Sequence, residues 1–387
     1  MKKILMSSII VFIIIIYAGI PRYHVRANAQ QPQTISRAAI VIEADTNRIL
    51  YEKNIHQRLA NASTTKILTA IIAIEHGNLS DMVRASDKAS KTGGSSIWLE
   101  EGEILSMKEM LYGLMLNSGN DAAVAIAEHI SGSVEEFAVL MNKKAREIGA
   151  LDSNFVNPHG LPDDNHYTTA YDLALIASYA MKNPIFREIV STKEKRISWP
   201  EHEWDRILVN KNKLLSQYQG ANGIKTGYTK KAGRCLVAAA QRNGMQLISV
   251  VLNCQPMFEE SMALLDHTFD KFKPKHIIKK GQILKEVKVE KGEENNVQLL
   301  ADKDIILPLA QGEINHVKVI IDYPKYISAP VRRGQQCGTI NIKLYDKDIA
   351  SCTLVAQRDI KEKSFVKSIR DLLNQWFNKK YVPEVNG

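Results

Sequence analysis

The sequence predicts an α/β domain, in which helices flank a sheet, followed by a small all-β domain and a terminal amphipathic helix. Alternating apolar residues near both ends of 30–273 predict strands, whereas most of the apolar runs between them have helical spacing. A sheet built from both ends of a domain, with helices between, is an α/β layered arrangement. Short alternating stretches with Gly, Asp and Pro turns predict the β domain over 276–358. An amphipathic basic pattern predicts the last helix over 361–381.

The amino terminus has the pattern of a secretory signal peptide over residues 1–29. Lys2 and Lys3 precede an uncharged apolar run, 4–20, and Ala27-Asn28-Ala29 offers small residues for cleavage. The run is slightly longer than is usual for a signal peptide, so an uncleaved anchor is the alternative. We expect an exported protein at the outer face of the cytoplasmic membrane or in the cell wall.

The charge pattern argues against a nucleic-acid partner. The 387 residues carry a net charge of +9, but aromatic and basic residues do not alternate as they do along a nucleic-acid groove. Basic charge on an exported protein is better suited to an anionic membrane or cell wall. The helix over 361–381, with Trp376 on its apolar stripe, is therefore predicted to bind the membrane surface. The alternative is that it docks on its own β domain.

The four cysteines match no zinc-binding spacing. Cys235 and Cys254 are expected on the two strands of a hairpin turned at Asn243-Gly244. A two-residue turn places them on a diagonal, with Cβ atoms roughly 7 Å apart, which is too far for an unstrained disulfide. We expect free, buried thiols, with a disulfide as the alternative in an oxidising compartment.

The α/β domain is predicted to begin with a hairpin and a buried helix. Residues 37–43 and 48–51 alternate on either side of the turn residues 45–47. A helix is expected from Ser63 to Gly77, since an apolar run follows the serine and a glycine ends it.

Further helices and a second hairpin complete the domain. Ser106 and Glu109 have the spacing of a capping box that opens a helix over 106–116. The other expected elements are helices over 121–130, 133–148, 168–181 and 259–272, a hairpin over 235–240 and 246–252, and a linker over 271–275.

The helix that begins at Ser63 carries the first candidate catalytic pair, Ser63 and Lys66. Positions three apart share a helix face, so the hydroxyl and the amine become neighbours. A serine hydroxyl needs a base to become a nucleophile. A lysine can be that base when burial or a second cation lowers its pKa. Ser-x-x-Lys alone is a weak signal, because a single occurrence of this pattern is usually just the solvated start of a helix.

Ser118 and Asn120 form a second motif, Ser118-Gly119-Asn120, at a break between helices. Side chains at such a break can point into a cleft. The hydroxyl can pass a proton to a leaving amine, and the amide can hold Lys66 and a substrate carbonyl. Alone, the motif would be read as a helix cap.

The third motif, Lys-Thr-Gly, occurs at residues 91–93 and again at residues 225–227. The second copy opens the late hairpin, where a strand edge can accept an extended peptide. Gly227 lacks a side chain that would block close approach, and Lys225 and Thr226 offer a cation and a hydroxyl to a terminal carboxylate. We assign the site to this copy, because the first lies in a Gly/Ser loop.

These three motifs, in this order after a signal peptide, are the signature of the penicillin-binding and serine β-lactamase superfamily. The chain resembles the low-molecular-mass penicillin-binding proteins, the serine D-Ala-D-Ala carboxypeptidases of the peptidase S11 type. The resemblance implies the antiparallel sheet flanked by helices of β-lactamases and transpeptidases. The stretches that carry this resemblance are 62–66, 117–122, 157–161 (Asn-Pro-His-Gly-Leu) and 223–229.

The resemblance implies catalytic roles for four residues. Ser63 would attack the carbonyl between the terminal D-alanines of a peptidoglycan stem peptide, with Lys66 as the base. Ser118 would relay a proton to the departing D-alanine, and Asn120 would orient the amide. β-Lactam antibiotics would mimic the substrate and trap Ser63.

The resemblance also implies how substrate is held. Lys225 and Thr226 would bind its carboxylate, and Gly227 would let it approach. The backbone N–H groups of Ser63 and Tyr228 would form the oxyanion hole, each contributing roughly 3–4 kcal/mol. No cofactor and no metal are expected.

Several rival activities use the same fold. They are a β-lactamase, a D,D-endopeptidase, a transpeptidase, and a catalytically silent wall-binding scaffold. Gly119 stands where class A β-lactamases have an aspartate, which favours the carboxypeptidase branch.

Overall fold

The computed structural model describes residues 32–364 together with residues 369, 370 and 373. The predicted signal peptide, 1–29, and most of the predicted helix over 361–381 lie outside the described residues. Within the described part of the chain, no helix is both long enough and apolar enough to cross a membrane.

The strands fall into two groups along the chain, separated by the last long helix. Those before it are β1 (Ala38–Glu43), β2 (Ile49–Lys53), β3 (Met82–Arg84), β4 (Ile104–Ser106), β5 (Glu194–Ile197), β6 (Arg206–Val209), β7 (Ala221–Thr229), β8 (Gly233–Arg242) and β9 (Met245–Leu252). Those after it are β10 (Lys273–Ile278), β11 (Ile283–Glu290), β12 (Asn296–Ala301), β13 (Ile305–Leu309), β14 (Val317–Asp322), β15 (Tyr326–Ser328), β16 (Gln336–Leu344) and β17 (Lys347–Ala356).

The α-helices within residues 32–364 lie between β2 and β10. They are α1 (Lys66–His76), α2 (Asp87–Ser90), α3 (Met107–Tyr112), α4 (Asn120–Ser131), α5 (Val134–Ile148), α6 (Ala170–Met181), α7 (Pro184–Ser191), α8 (Leu214–Gln217) and α9 (Met257–Lys271). A 3₁₀ turn, Ala62–Thr65, leads directly into α1, and a π-helical turn, Gly113–Asn117, follows α3.

A five-stranded antiparallel sheet organises the first domain, in the order β2–β1–β9–β8–β7. Alternate residues of β1 face opposite sides, as the strand period requires. Ile40 and Ile42 belong to the core shared with α1, α4 and α6, whereas Ala39 and Val41 belong to the core shared with α9. The prediction of an α/β domain is confirmed, and β7 lies at an edge of its sheet.

The register of the β8–β9 hairpin is also as predicted. Leu236 pairs with Val251, and Arg242 pairs with Met245 across the two-residue turn Asn243-Gly244. Both turn residues have positive φ, which is what a type I′ turn requires. The four cysteines are free and buried, so the expectation of free thiols is confirmed.

The helix predicted over 106–116 is present with its predicted capping box, but only Met107–Tyr112 is α-helical, and Gly113–Asn117 continues it as the π-helical turn. One expectation about local structure is wrong. The predicted linker is instead the end of α9 and the start of β10, which pairs with β13. Lysines and a proline suggested a linker, although an edge strand tolerates both.

Other elements were not expected. They are the short helices α2 and α8, the helix α7, and the strand pairs β3–β4 and β5–β6.

The second domain is all-β, as predicted. One sheet has the order β14–β16–β17–β12–β11–β15, and β10 pairs with β13 in a second. Ile340, Ile342 and Leu354 are among its fully buried core residues. Arg48, in the β1–β2 turn, donates to Glu313 at 2.7 Å and thereby connects the two domains.

Gly160 fixes the turn in front of the α1 helix. Its φ is +84°, and a Cβ atom there would lie 1.9 Å from the carbonyl oxygen of Ala62 and 2.8 Å from Oγ1 of Thr65. No side chain fits in that space, so a glycine is required for the backbone around residue 160 to support the turn Ala62–Thr65.

We expect Gly160→Ala to lower the free energy of unfolding more than Gly132→Ala does. Gly132 has a similar φ of +79° but open space where a Cβ would lie. Both variants incur the roughly 1–2 kcal/mol of left-handed strain, and only Gly160→Ala adds a steric clash, of about 1–3 kcal/mol. Chemical denaturation measures both values, and equal losses would contradict the assigned contact.

Candidate functional site

The 3₁₀ turn places Ser63 one turn before the buried start of α1. Nζ of Lys66 lies 3.0 Å from Oγ of Ser63. Lys66 is fully buried, although its neighbour Ser63 is partly exposed. The spacing that the sequence predicts thus brings a shielded amine to a hydroxyl that solvent can reach.

The amine of Lys66 has no carboxylate partner among the described residues. Its other contacts are Oδ1 of Asn120, at 2.6 Å, and the carbonyl oxygen of His159, at 2.9 Å. Burial lowers the pKa of Lys66 well below its usual value, and the nearby cations Lys225 and Lys211 lower it further.

The π-helical turn delivers the second motif. Ser118 follows the turn in the left-handed conformation, with φ of +66°, and Asn120 begins α4. Nδ2 of Asn120 donates to the carbonyl of Gly93 at 2.6 Å, which directs its oxygen toward Lys66. The preceding break in the helix therefore turns both side chains toward Ser63.

The buried carboxylate of Asp121 supports the loop beside this motif. It accepts hydrogen bonds from the backbone N–H groups of Ile97 and Leu99. The backbone N–H of Asn120 donates to the carbonyl of Ser95. The loop over 93–99 and the start of α4 are thereby joined.

The third motif lies on the edge strand β7, next to Ser63. A Cβ atom on Gly227 would lie 3.1 Å from the backbone nitrogen of Ser63, so the missing side chain allows this approach. Lys225 is buried, and its Nζ donates to the carbonyl of Thr226 at 3.1 Å. Burial, aided by Lys211, lowers the pKa of Lys225 to about 7.

A cleft of about 350 Å³ brings the three motifs together. Behind its wall, Lys66 and Asn120 are joined by their hydrogen bond. The motif residues that line the cleft are Ser63, Ser118, Thr226, Gly227 and Tyr228.

A larger cavity, of about 620 Å³, lies between the β1–β2 turn and the β domain. None of the three motifs lines it.

The first Lys-Thr-Gly copy does not line the cleft. Lys91 is exposed and pairs with Asp87. The copy nevertheless contributes the carbonyl of Gly93 that holds Asn120. Residues 225–227 thus lie at the cleft, with Thr226 and Gly227 in its lining, while the first copy has a supporting role that its sequence did not indicate.

Three basic side chains that line the cleft were not predicted from the sequence. Lys211, Lys213 and Arg234 line it, and Nζ of Lys211 lies 3.3 Å from Oγ of Ser95. Burial lowers the pKa of Lys211. The available signal was the proximity of all three to the Lys-Thr-Gly strand, two before it and one after it.

Buried polar side chains beneath the 3₁₀ turn were also missed. Nδ2 of Asn61 donates to Oγ1 of Thr65 at 2.9 Å, and that oxygen lies 2.8 Å from Nε2 of His166. Burial lowers the pKa of His166 to about 4, so the imidazole is neutral here and serves as a hydrogen-bonding partner.

Comparison with known proteins gives the same assignment over nearly the whole chain. Residues 25–256 match the family model described as D-alanyl-D-alanine carboxypeptidase, peptidase S11, and residues 272–362 match the C-terminal domain of penicillin-binding protein 5. The D-alanyl-D-alanine carboxypeptidase DacF of Bacillus subtilis is 36% identical over 97% of this chain and 99% of its own length.

Solved structures are similar to this chain, one over most of its length and another over a shorter part. Penicillin-binding protein 5 of Haemophilus influenzae has a TM-score of 0.70 and 32% identity, covering 86% of this chain and 99% of that one. A Streptomyces K15 DD-transpeptidase has a TM-score of 0.59 and 31% identity, covering 62% of this chain and 99% of that one. The chain therefore belongs to the peptidase S11 family of D-alanyl-D-alanine carboxypeptidases.

Proposed function

We propose that this cleft removes the terminal D-alanine from peptidoglycan stem peptides through an acyl-enzyme on Ser63. One observation carries the proposal: the buried amine of Lys66 contacts one hydroxyl, Oγ of Ser63, and two carbonyl oxygens. A neutral amine has two N–H donors and one lone pair. The donors match the carbonyls of Asn120 and His159, which leaves the lone pair to accept the proton of Ser63.

Acylation begins when Oγ of Ser63 attacks the carbonyl carbon of the penultimate D-alanine. The Ser63 proton passes to Nζ of Lys66, and the carbonyl becomes a tetrahedral oxyanion. The backbone N–H groups of Ser63 and Tyr228 stabilise this oxyanion. The short approach of Gly227 to the Ser63 nitrogen supports such a pair of donors.

Collapse of the intermediate breaks the peptide bond and forms the ester. Ser118 relays a proton to the departing D-alanine amine, while Asn120 orients the substrate amide. Water then attacks the ester, which returns the proton to Ser63 and releases the shortened peptide. Lys225 and Thr226 hold the terminal carboxylate beside Ser63 during acylation.

A transpeptidase is the second candidate, because the Streptomyces K15 DD-transpeptidase shares the fold at 31% identity. The two activities differ in what attacks the ester. A synthetic pentapeptide yields free D-alanine and a tetrapeptide if water attacks, and a cross-linked product if an amine does. Release of cross-linked peptide fragments from isolated wall would indicate an endopeptidase, and rapid turnover of a penicillin adduct would indicate a β-lactamase.

We expect Ser63→Ala to abolish both labelling by fluorescent penicillin and D-alanine release from the pentapeptide. Ser364→Ala is the matched control, since residues 364–367 form a second Ser-x-x-Lys, and it should retain both activities. An adduct that survives Ser63→Ala would overturn the assignment. Absence of any adduct in the unaltered protein would favour the silent scaffold.

We expect the rate of acylation by penicillin to rise with pH well below pH 10.5, as Lys66 loses its proton. The lowered pKa of Lys66 means that the neutral base is available at a pH where an ordinary lysine is charged. Lys66→Arg should lack this rising limb and react at least about 100-fold more slowly. A wild-type rate that rises only near pH 10.5 would contradict the proposed base.

The same experiment tests Lys225. Its charge, and hence its attraction for a carboxylate, is present below its lowered pKa of about 7 and is lost as the pH rises through it. Lys225→Arg keeps the charge, so the decline of acylation at alkaline pH should move to higher pH.

Members of this family act on peptidoglycan, which lies outside the cytoplasm. We infer that residues 1–29 direct export and that the basic, amphipathic pattern over 361–381 binds the membrane surface. Deleting residues 365–387 should move the protein from the membrane fraction to the soluble fraction of lysed cells. A protein that stays in the membrane fraction after this deletion would point to another anchor.

A further inference from the structure

We propose that Arg234 makes the enzyme select stem peptides that carry a second carboxylate, on the acyl side of the bond that is cut. The inference rests on the proposed function, since it takes Ser63 as the nucleophile and Lys225 and Thr226 as the site of the terminal carboxylate. It adds a residue that determines specificity and names the chemistry that it recognises.

Arg234 reaches the cleft from β8, the strand next to the edge strand β7. It pairs directly opposite Tyr228 in the β7–β8 register, and its guanidinium carbon lies 5.4 Å from the centre of the Tyr228 ring. Both residues line the cleft, and Tyr228 is 61% exposed. The arginine therefore reaches toward the edge strand, over the ring of Tyr228, and lines the cleft there.

The direction of the substrate follows from the order of the motif along β7. The terminal carboxylate lies near Thr226, and the carbonyl that is attacked lies beside Gly227, opposite the nitrogen of Ser63. The rest of the peptide must then continue toward Tyr228, antiparallel to β7. At about 3.4 Å per residue, the stem residue that precedes the two D-alanines lies level with Tyr228 and Arg234.

The charge of Arg234 is available for a ligand. Within the described residues it has no ion pair, and its side-chain hydrogen bond is a long one, 3.4 Å, to the neutral Gln255. Lys213 also lines the cleft without an ion pair to any described residue, and the lining includes no Asp or Glu. One terminal carboxylate beside Lys225 leaves this outer positive charge unmatched.

Two carboxylates of a stem peptide have the required chemistry. One is on the side chain of a third residue of the 2,6-diaminopimelic acid type, which would lie level with Arg234. The other is the α-carboxylate of a γ-linked D-glutamate at the second residue, which would lie farther out. An arginine that is already oriented by an aromatic ring can bind either one.

The test compares substrates in pairs that differ by one carboxylate. The first pair is diacetyl-L-lysyl-D-Ala-D-Ala and its diacetyl-diaminopimelyl counterpart. The second pair is L-Ala-γ-D-Glu-(Nε-acetyl)Lys-D-Ala-D-Ala and the same peptide with D-isoglutamine. The readout is the ratio of kcat/KM values within each pair, from D-alanine release, which cancels any change in the fraction of folded enzyme.

We expect the wild type to prefer the carboxylate in at least one pair, and Arg234→Gln to reduce that ratio roughly fivefold. The pair that responds identifies the source of the carboxylate. Arg242→Gln is the matched control, because Arg242 lies on the same strand and stacks over Tyr218 but does not line the cleft. Its ratios should equal those of the wild type.

The inference fails if neither pair shows a preference, or if the preference survives Arg234→Gln. In either case, D-alanine release from the lysyl tripeptide would show that the proposed function still holds. Loss of D-alanine release from every substrate in the wild type would overturn the function itself, and the inference with it.

Discussion

The site depends on the burial of one amine without a counterion. Taking a charged ammonium out of water costs several kcal/mol unless an anion pairs with it, and the partners of Lys66 are a hydroxyl and two carbonyl oxygens. The protein therefore favours the neutral amine, which is the form that can accept a proton. The apolar helix that follows Ser63 contributes to this burial, so the stability of α1 and the neutral state of Lys66 have a common origin.

A neutral amine needs fixed acceptors, and much of the surrounding structure holds them in place. Asn120 is oriented by the carbonyl of Gly93 and the backbone of Ser95. His159 presents its carbonyl from the turn that Gly160 packs against Ala62. These contacts come from loops far apart in sequence. A substitution that removes any of these contacts would move a hydrogen-bond acceptor of Lys66 without directly moving Ser63.

The parts of the site that the sequence predicts are those that depend on local periodicity. Three-residue spacing places Lys66 beside Ser63. The turn at Asn243-Gly244 predicts the hairpin register, and the place of Lys225 just before that hairpin predicts a strand edge. The sequence predicts a break between helices at Ser118, but neither the π-helical turn over 113–117 nor the left-handed φ of Ser118, because no local residue preference specifies them. Lys211, Lys213 and Arg234 were missed for a related reason: a single basic residue carries no motif, and only the fold brings the three to one cleft.

The edge position of β7 has a consequence for how copies of this protein meet in solution. An unpaired strand edge is a template for another strand, and proteins commonly guard such edges with charge. Here Lys211, Lys213 and Arg234 stand beside the edge. Two identical edges would bring six cations together, which repels a second copy while an anionic peptide is attracted. The basic residues that surround the cleft would thus disfavour edge-to-edge pairing of two copies through β7.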